Sequence, residues 1–365
     1  MQTNNLYLHC FNKIIQVGPK TLALIIQNFP SIKKAFETAN FNDYLKIGLK
    51  PKIAQAILSK KDDISPTKEK EYFSKNDITL LSLLDKKYPA RLREISSPPA
   101  LLYIRGDTDI LDGENLISFV GSRKISEYGK LATEKTIDDL ANPSIIIVSG
   151  LAIGCDALAH KSALANNLKT IAVVGSGISD EVLYPQINLN LAHEIIKSGG
   201  AVISEYPPIE KARIHYFPMR NRIISGLSLG VVVIEAAKRS GALITAYSAV
   251  DQNREVLAIP GNVFCASHVG CNKLIQKGAK LVITGQDILD ELCLDLETKF
   301  RLDQLEQKLS SEEEIILEAI KNGSQEIGQI IKETKLSIEK INSSLLNLEI
   351  NNIINKIGNQ TYITL

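Results

Sequence analysis

The sequence is short of what a disulfide-bonded or zinc-binding protein needs. Its five cysteines, Cys10, Cys155, Cys265, Cys271 and Cys293, are odd in number and scattered, with no CxxC pair among them. Neither a disulfide framework nor a structural metal is expected, and a reducing, cytoplasmic compartment fits best. No apolar run approaches the roughly 20 residues that cross a bilayer, so no membrane association is expected. The opening residues MQTNNLYLHC lack a basic stretch followed by an apolar one, so no secretory signal is expected there. Tryptophan is absent, which by itself excludes nothing. There is no GxxxxGK[ST] phosphate loop. Gly175-Ser176-Gly177-Ile178-Ser179-Asp180 lacks the third small residue of a dinucleotide fingerprint, and Glu194, nearest the required acidic offset, falls inside a helical pattern. Phosphate-loop ATPases and nicotinamide or flavin enzymes are disfavoured, and no cofactor is expected.

What is present is ordinary in bulk and uneven in detail. The 365 residues are 44% hydrophobic and 23% charged, the balance of a soluble globular protein of two or three domains. The net charge of +1 conceals a gradient. Residues 1–75 hold 12 Lys/Arg against 6 Asp/Glu, residues 76–285 hold 22 against 20, and residues 286–365 hold 8 against 15. A phosphate backbone responds to local potential, so the acidic C-terminal region is the poorest candidate for gripping nucleic acid.

Residues 1–65 read as a helical domain of SAM or helix-hairpin-helix type. Val17–Ala23 and Leu49–Ala54 each set a turn before a lysine and an apolar helix. Such turns can offer N–H groups to a phosphate. A small packing module without a ligand fits the same pattern and is favoured. Lys60–Pro66 reads as a linker. Residues 66–296 alternate short apolar runs with helical periodicity. The candidate strands are Ile78–Leu84, Leu116–Val120, Ile145–Ser149, Thr170–Val174, Ala201–Ser204, Gly230–Ile234, Val256–Ile259 and Lys280–Ile283. Near-continuous apolar strands between helices predict an α/β fold, a Rossmann-like doubly wound parallel sheet. Residues 297–311 read as a linker. Residues 312–365, with three helical patterns and a hairpin around Gly358-Asn359, read as a winged-helix-like domain suited to packing or protein contact.

Small and polar residues fall at the strand ends. Gly121-Ser122-Arg123, Ser149-Gly150, Gly175-Ser176-Gly177, Ser204-Glu205, Glu235 and Pro260-Gly261 each close a strand, and in an open α/β sheet such ends share the ligand-binding edge. Ser240-Gly241 opens a helix that can receive an anion, or simply makes a tight turn. Asp156 and His160 stand four apart, a spacing compatible with a metal. A helix-capping role for Asp156 is favoured, since no third or fourth ligand accompanies them. Glu205 and Glu235 have no evident nucleophile beside them. The segment Lys211–Arg222 stands apart, with Lys211, Arg213, His215, Tyr216, Phe217, Arg220, Asn221 and Arg222 and no acid. Charge beside rings is what single-strand binding uses. Pro218 marks the segment as a loop, with a helix starting at Arg220.

These motifs occur in an order that resembles the DNA-processing protein A (DprA/Smf) family. The run is Tyr88-Pro89, Pro98–Tyr103, Val120-Gly121-Ser122-Arg123, Ser149–Ala152, Gly154–Ala157, His160, Phe217–Ser228, Glu235, Ser240–Ala246, Pro260-Gly261 and Gly270–Ile275, densest over about 88–280. The resemblance implies an extended Rossmann-like core that binds single-stranded DNA in a basic pocket. It also implies a homodimer, loading of RecA recombinase in natural transformation, and no catalytic activity. Carried over by position, Arg123, Phe217, Arg220, Asn221, Arg222 and Lys273 become DNA contacts, while Ser149, Gly150, Ser240 and Gly241 let backbone approach phosphates. Two departures are Cys155 before Asp156 and a long, acidic Gly177–Tyr184 loop, which puts DNA contacts from that loop in doubt. The competing enzyme reading is a nucleotide-processing protein of the lysine-decarboxylase-like fold using Glu235. Its upstream Pro-Gly-Gly turn is missing.

Overall fold

Apolar runs that are buried on both sides become the inner strands of one nine-stranded sheet. The structure is a computed structural model and describes residues 3–296, 310–350, 353–357 and 361–364. The strands are β1 (Thr79–Ser82), β2 (Leu101–Gly106), β3 (Asn115–Val120), β4 (Ile145–Ser149), β5 (Lys169–Val173), β6 (Ala201–Ser204), β7 (Gly230–Val233), β8 (Glu255–Ala258) and β9 (Lys280–Leu281). Their order is β1-β2-β6-β5-β4-β3-β7-β8-β9. From β6 to β9 all pairs are parallel, while β1–β2 and β2–β6 are antiparallel. The sheet is therefore mostly, not wholly, parallel. Strand β2, absent from the strands expected from sequence, joins β1 to the parallel set.

Alternate residues of β3 divide the core. Leu116 and Val120 point to one face, with Val148, Val173 and Val233, against Ile223, Ile224, Ala246 and Leu274. Ile117 and Phe119 point to the other, with Ile147 and Val232, against Ile137, Ala159, Ala163 and Ile288. Each Val, Leu, Ile or Phe side chain among them contributes about 1.5–3 kcal/mol by leaving water. The first face carries helices Tyr216–Leu227, Gly241–Asp251 and Val269–Gln276. The second carries Glu127–Asp139, Cys155–Ala165, Leu189–Lys197 and Gly285–Glu291.

Connections leaving β3, β4 and β5 thus cover one face, and those leaving β6, β7 and β8 cover the other. Since β3 and β7 are neighbours, their carboxyl ends diverge to opposite faces and open a crevice between them.

Helices Thr3–Asn12, Pro19–Asn28, Ile32–Thr38, Phe41–Lys46, Pro51–Lys60 and Pro66–Lys75 precede the sheet and share one core with Leu101, Tyr103 and Val202. Pro19 and Pro51, in the two look-alike segments, sit in the first helical turn, where a missing N–H costs nothing. Buried polar groups fix this layer. Asn5 Nδ2 donates to Leu80 O (3.0 Å) and Asp85 Oδ2 (2.8 Å). The ring nitrogens of His9 contact Tyr103 Oη (3.0 Å) and Glu69 Oε2 (2.9 Å), and Lys13 also pairs with Glu69. Asn12 Nδ2 donates to Tyr103 Oη (3.0 Å) and to Glu205 O (3.3 Å).

The chain divides into two compact units between residues 300 and 301. In the second, helices Ser311–Lys321, Ile327–Thr334 and Ile338–Ile350 surround Ile316, Ile330, Ile341 and Leu345. Strands β10 (Ile354–Ile357) and β11 (Thr361–Thr364) pair antiparallel. The Gly358-Asn359 turn and most of the 297–311 linker lie outside the described residues. Among the described residues, no helix is long and apolar enough to cross a membrane.

Candidate functional site

A cavity of about 570 Å³ opens at the β3/β7 switch point. Gly121, Ser122 and Arg123 line it from the turn after β3, and Ala152 and Asp156 from the turn and helix after β4. Tyr184 comes from the loop after β5, and Ala237, Ser240, Gly241, Ala242, Ile244 and Thr245 from the segment after β7. The remaining wall is helix Tyr216–Leu227, through Phe217, Pro218, Arg220, Asn221 and Ile224, with Ile214 just before it.

That helix begins four residues earlier than sequence implied. Pro218 is its third residue, in the first turn, so it does not mark a loop. Residues 217, 220, 221 and 224 then lie on one helical face, the i, i+3, i+4, i+7 set. Arg222 lies on another. Its Nη2 donates to both carboxylate oxygens of Glu205, at 2.7 and 2.8 Å, and its side chain is only 16% exposed. Burial raises the Glu205 pKa, and Arg222 opposes that rise. Expected as a DNA contact, Arg222 is instead outside the cavity lining and committed to a buried ion pair.

Phe217 and Arg123 do come together. The Arg123 guanidinium carbon lies 5.4 Å from the centroid of the Phe217 ring, a cation–π geometry. Arg123 is exposed and has no carboxylate partner among the described residues. The Tyr184 ring also approaches Phe217, at 5.5 Å and tilted by 58°. Gly175 is what admits the Phe217 ring: a Cβ there would sit 2.8 Å from Phe217 Cδ1. Tyr184 belongs to the loop whose acidity counted against it. Its Asp180 is neutralised by Arg105 (2.5 Å) and lies 3.1 Å from His193 Nε2.

Arg220 forms the floor. It is 4% exposed, and its Nη1 donates to Gly150 O (2.7 Å) and to Val173 O, tying the ends of β4 and β5. Burial pulls its pKa down to about 10, Asp156 working against this and Arg123 with it. Burial raises the Asp156 carboxyl, with Arg220 opposing. Gly150 makes room for this pair rather than for a phosphate, since a Cβ would lie 2.5 Å from both Arg220 Nη2 and Asp156 Oδ2. Ser149 is fully buried, and its hydroxyl donates to Phe119 O (2.6 Å). Neither lines the cavity.

Helix Gly241–Asp251 starts at the cavity wall. Ser240 Oγ accepts from Ala242 N (3.3 Å), and Asn221 Nδ2 donates to Gly241 O (3.3 Å). Its positive end therefore faces the space beside Arg123. Lys211 and Lys273 are exposed but outside the lining. Arg213 is also outside, paired with Glu210 (2.7 Å) and lying over Tyr216, which stacks on Tyr206 at 3.7 Å. Glu235, on which the enzyme reading depends, is buried and accepts from Ser126 N and Oγ at 2.9 Å each. His160 is buried, with Nδ1 2.7 Å from Thr170 Oγ1. Among the described residues, no three His, Cys, Asp or Glu side chains gather as a metal site requires.

Sequence reasoning missed Tyr184, Ile214, Ile244 and Thr245. A helix starting at Gly241 puts Ile244 and Thr245 one turn above it, so that pair was recoverable from spacing. Tyr184 was not.

Known proteins resemble the chain in sequence and in fold. The model of the family described as DNA recombination-mediator protein A matches residues 79–293. DNA processing protein DprA of Streptococcus pneumoniae is 45% identical over 230 residues, covering 63% of this chain and 78% of that protein. Its Bacillus subtilis counterpart is 40% identical over 220 residues, 60% and 73% respectively. Among solved structures, the Streptococcus pneumoniae protein superposes with a TM-score of 0.68 at 37% identity, over 80% of this chain and 99% of that one. DNA processing protein A of Helicobacter pylori, studied for its single-stranded DNA binding mode, gives 0.53 at 28% identity, over 60% and 97%. The chain belongs to the DNA recombination-mediator protein A family.

Proposed function

We propose that the chain binds single-stranded DNA in the switch-point cavity and acts as a recombination mediator, loading RecA recombinase onto incoming strands as a homodimer in the cytoplasm. The observation that carries the reading is the Arg123–Phe217 pair, which shares one cavity with the Tyr184 ring and the N-terminus of helix Gly241–Asp251. A guanidinium with no carboxylate partner among the described residues and a helix N-terminus suit phosphates, while two tilted rings suit bases, which duplex DNA keeps stacked inside. Asn221, Ser240 and Gly241 complete the phosphate side, and Lys211 and Lys273 extend the positive field outside. The Helicobacter pylori relative's single-stranded DNA binding mode supports the same ligand. The division into a helical domain (1–65), a sheet domain (66–296), a linker (297–311) and a winged-helix-like domain (312–365) is part of this proposal.

The test is fluorescence anisotropy with single-stranded and duplex oligonucleotides of one sequence at two salt concentrations. Tighter binding to the single strand, weakened by salt, is expected. Equal affinity for duplex would overturn the reading.

A further inference from the structure

One large apolar side chain on the ligand-binding edge is left almost wholly in water. Phe264 is 94% exposed and its neighbour Val263 71%. They sit in the loop that follows β8, one strand beyond the β3/β7 crevice. The base of this loop is fixed. Asn272 clamps Gly261, accepting from its N–H at 3.2 Å and donating from Nδ2 to its carbonyl at 2.9 Å. The His268 ring is buried directly beneath Gly261 and meets Tyr128 edge-on at 5.3 Å. Tyr128 in turn donates from Oη to Pro260 O at 2.7 Å. At the tip, Asn262 Oδ1 accepts from Phe264 N at 2.8 Å, and Cys265 N–H donates to Asn262 O at 3.0 Å. A tied loop that presents a phenyl ring to solvent leaves the burial of that ring unrealised in the free chain.

The surroundings indicate what covers it. The loop's far end is joined to the cavity wall, since Gly270 N–H donates to Ala236 O at 2.7 Å and Ala237 lines the cavity. Next in the chain come Lys238 and Arg239, both exposed. Lys124 follows Arg123, and Lys273 follows the clamping Asn272. None of these four cations has a carboxylate partner among the described residues. Two acids of this edge are already engaged: Glu235 is buried on Ser126, and Glu127 pairs with Lys130 at 2.6 Å. A protein partner with an ordinary mixed surface would leave four like charges unanswered. A phosphodiester chain answers them, and its bases answer the ring.

We infer that single-stranded DNA continues from the cavity across the end of β7 and stacks a base on Phe264, with Lys238 and Arg239 holding the intervening phosphates. From β4 to β8 the path crosses three inter-strand spacings, about 14 Å, enough for several nucleotides. This inference rests on the proposed single-strand binding, and its consequence is that affinity grows with oligonucleotide length beyond what the cavity holds.

The experiment uses the full chain, with oligothymidylates of about three nucleotides, too short to reach from the cavity to Phe264, and of about fifteen as probes. The wild type is expected to bind the longer strand more tightly, and Phe264→Ala to weaken that binding about tenfold while leaving the shorter unchanged. Phe264→Tyr restores the longer strand. Lys238→Ala with Arg239→Ala lowers the salt dependence for the longer strand only. Unchanged long-strand affinity in Phe264→Ala overturns the inference. So does a shift of sedimentation mass without a change in length dependence, which would assign the ring to a second copy of the chain. Failure of the wild type to bind either strand would instead sink the single-strand reading itself.

Discussion

Replacing Arg222 with methionine tests how helix Tyr216–Leu227 divides its work between the cavity and the core. Arg222 and Glu205 are 16% and 5% exposed, and the guanidinium spans both carboxylate oxygens. Charge centres about 4 Å apart at an effective dielectric near 20 attract by about 4 kcal/mol. Desolvation of the two groups offsets most of that gain. A lone Glu205 has no such offset, and stranding one member of a buried pair costs about 3–5 kcal/mol. For a unit of this size the melting temperature of Arg222→Met should fall by roughly 5–8 °C. Adding Glu205→Leu removes the stranded charge and should restore most of the loss. Affinity per folded molecule for a labelled single strand should change less than about twofold, because Arg222 does not line the cavity. Circular dichroism melts and anisotropy titrations on the single and double variants measure both quantities. Unchanged melting with a tenfold loss of affinity would refute the reasoning and return Arg222 to the DNA.

Other perturbations probe the cavity and its supports. Phe217→Ala should weaken single-strand binding by about 1–3 kcal/mol, roughly five- to 150-fold in a titration, with little change in salt slope. Arg123→Ala should instead flatten the slope of log K against log salt by about 0.7, the mark of one lost phosphate contact. Gly150→Ala places a methyl 2.5 Å from Arg220 Nη2 and Asp156 Oδ2, so urea unfolding should report a loss of about 1–3 kcal/mol. Burial, aided by Arg220, lowers the His160 pKa from 6.5 to about 3. Below pH 6.5 the unfolded chain therefore takes a proton that the folded protein refuses. Stability is whole above that pH and falls on acidification toward 3, by up to about 1.4 kcal/mol per pH unit. Urea midpoints at pH 7 and pH 5 should diverge in the wild type and diverge less in His160→Asn. Equal divergence would remove His160 from the account.

Much of the sheet was legible because a strand buried on both faces needs apolar residues at nearly every position, and β3 through β8 have them. Strand β2 is just as apolar, but nothing in Leu101–Ile104 says that its partner is β6, reached a hundred residues later. The position of the cavity followed from glycine and serine turns at strand ends, a rule of topology rather than of any one residue. Individual side chains were harder. Reading Pro218 as a loop marker hid the frame of helix Tyr216–Leu227. With the helix starting at Tyr216, Arg222 lies about 140° around the axis from Phe217. Its basic character gave no hint of this, and neither did Glu205, seventeen residues away. Ser149 and Gly150 stood in the right turn for a different reason. They pack the floor under the cavity and make none of its surface.

The tie that Arg220 makes between two strand ends sets the character of any encounter at this cavity. A guanidinium holds its proton throughout the physiological range, and its hydrogen bonds go to backbone carbonyls. No side chain has to titrate or swing aside for the floor to be in place. The ordering of the floor is thus charged to folding, and an arriving strand has chiefly to order itself. The same holds on departure. In the proposed complex, the rate at which a strand is exchanged would then be governed by the contacts above the floor rather than by rearrangement within it.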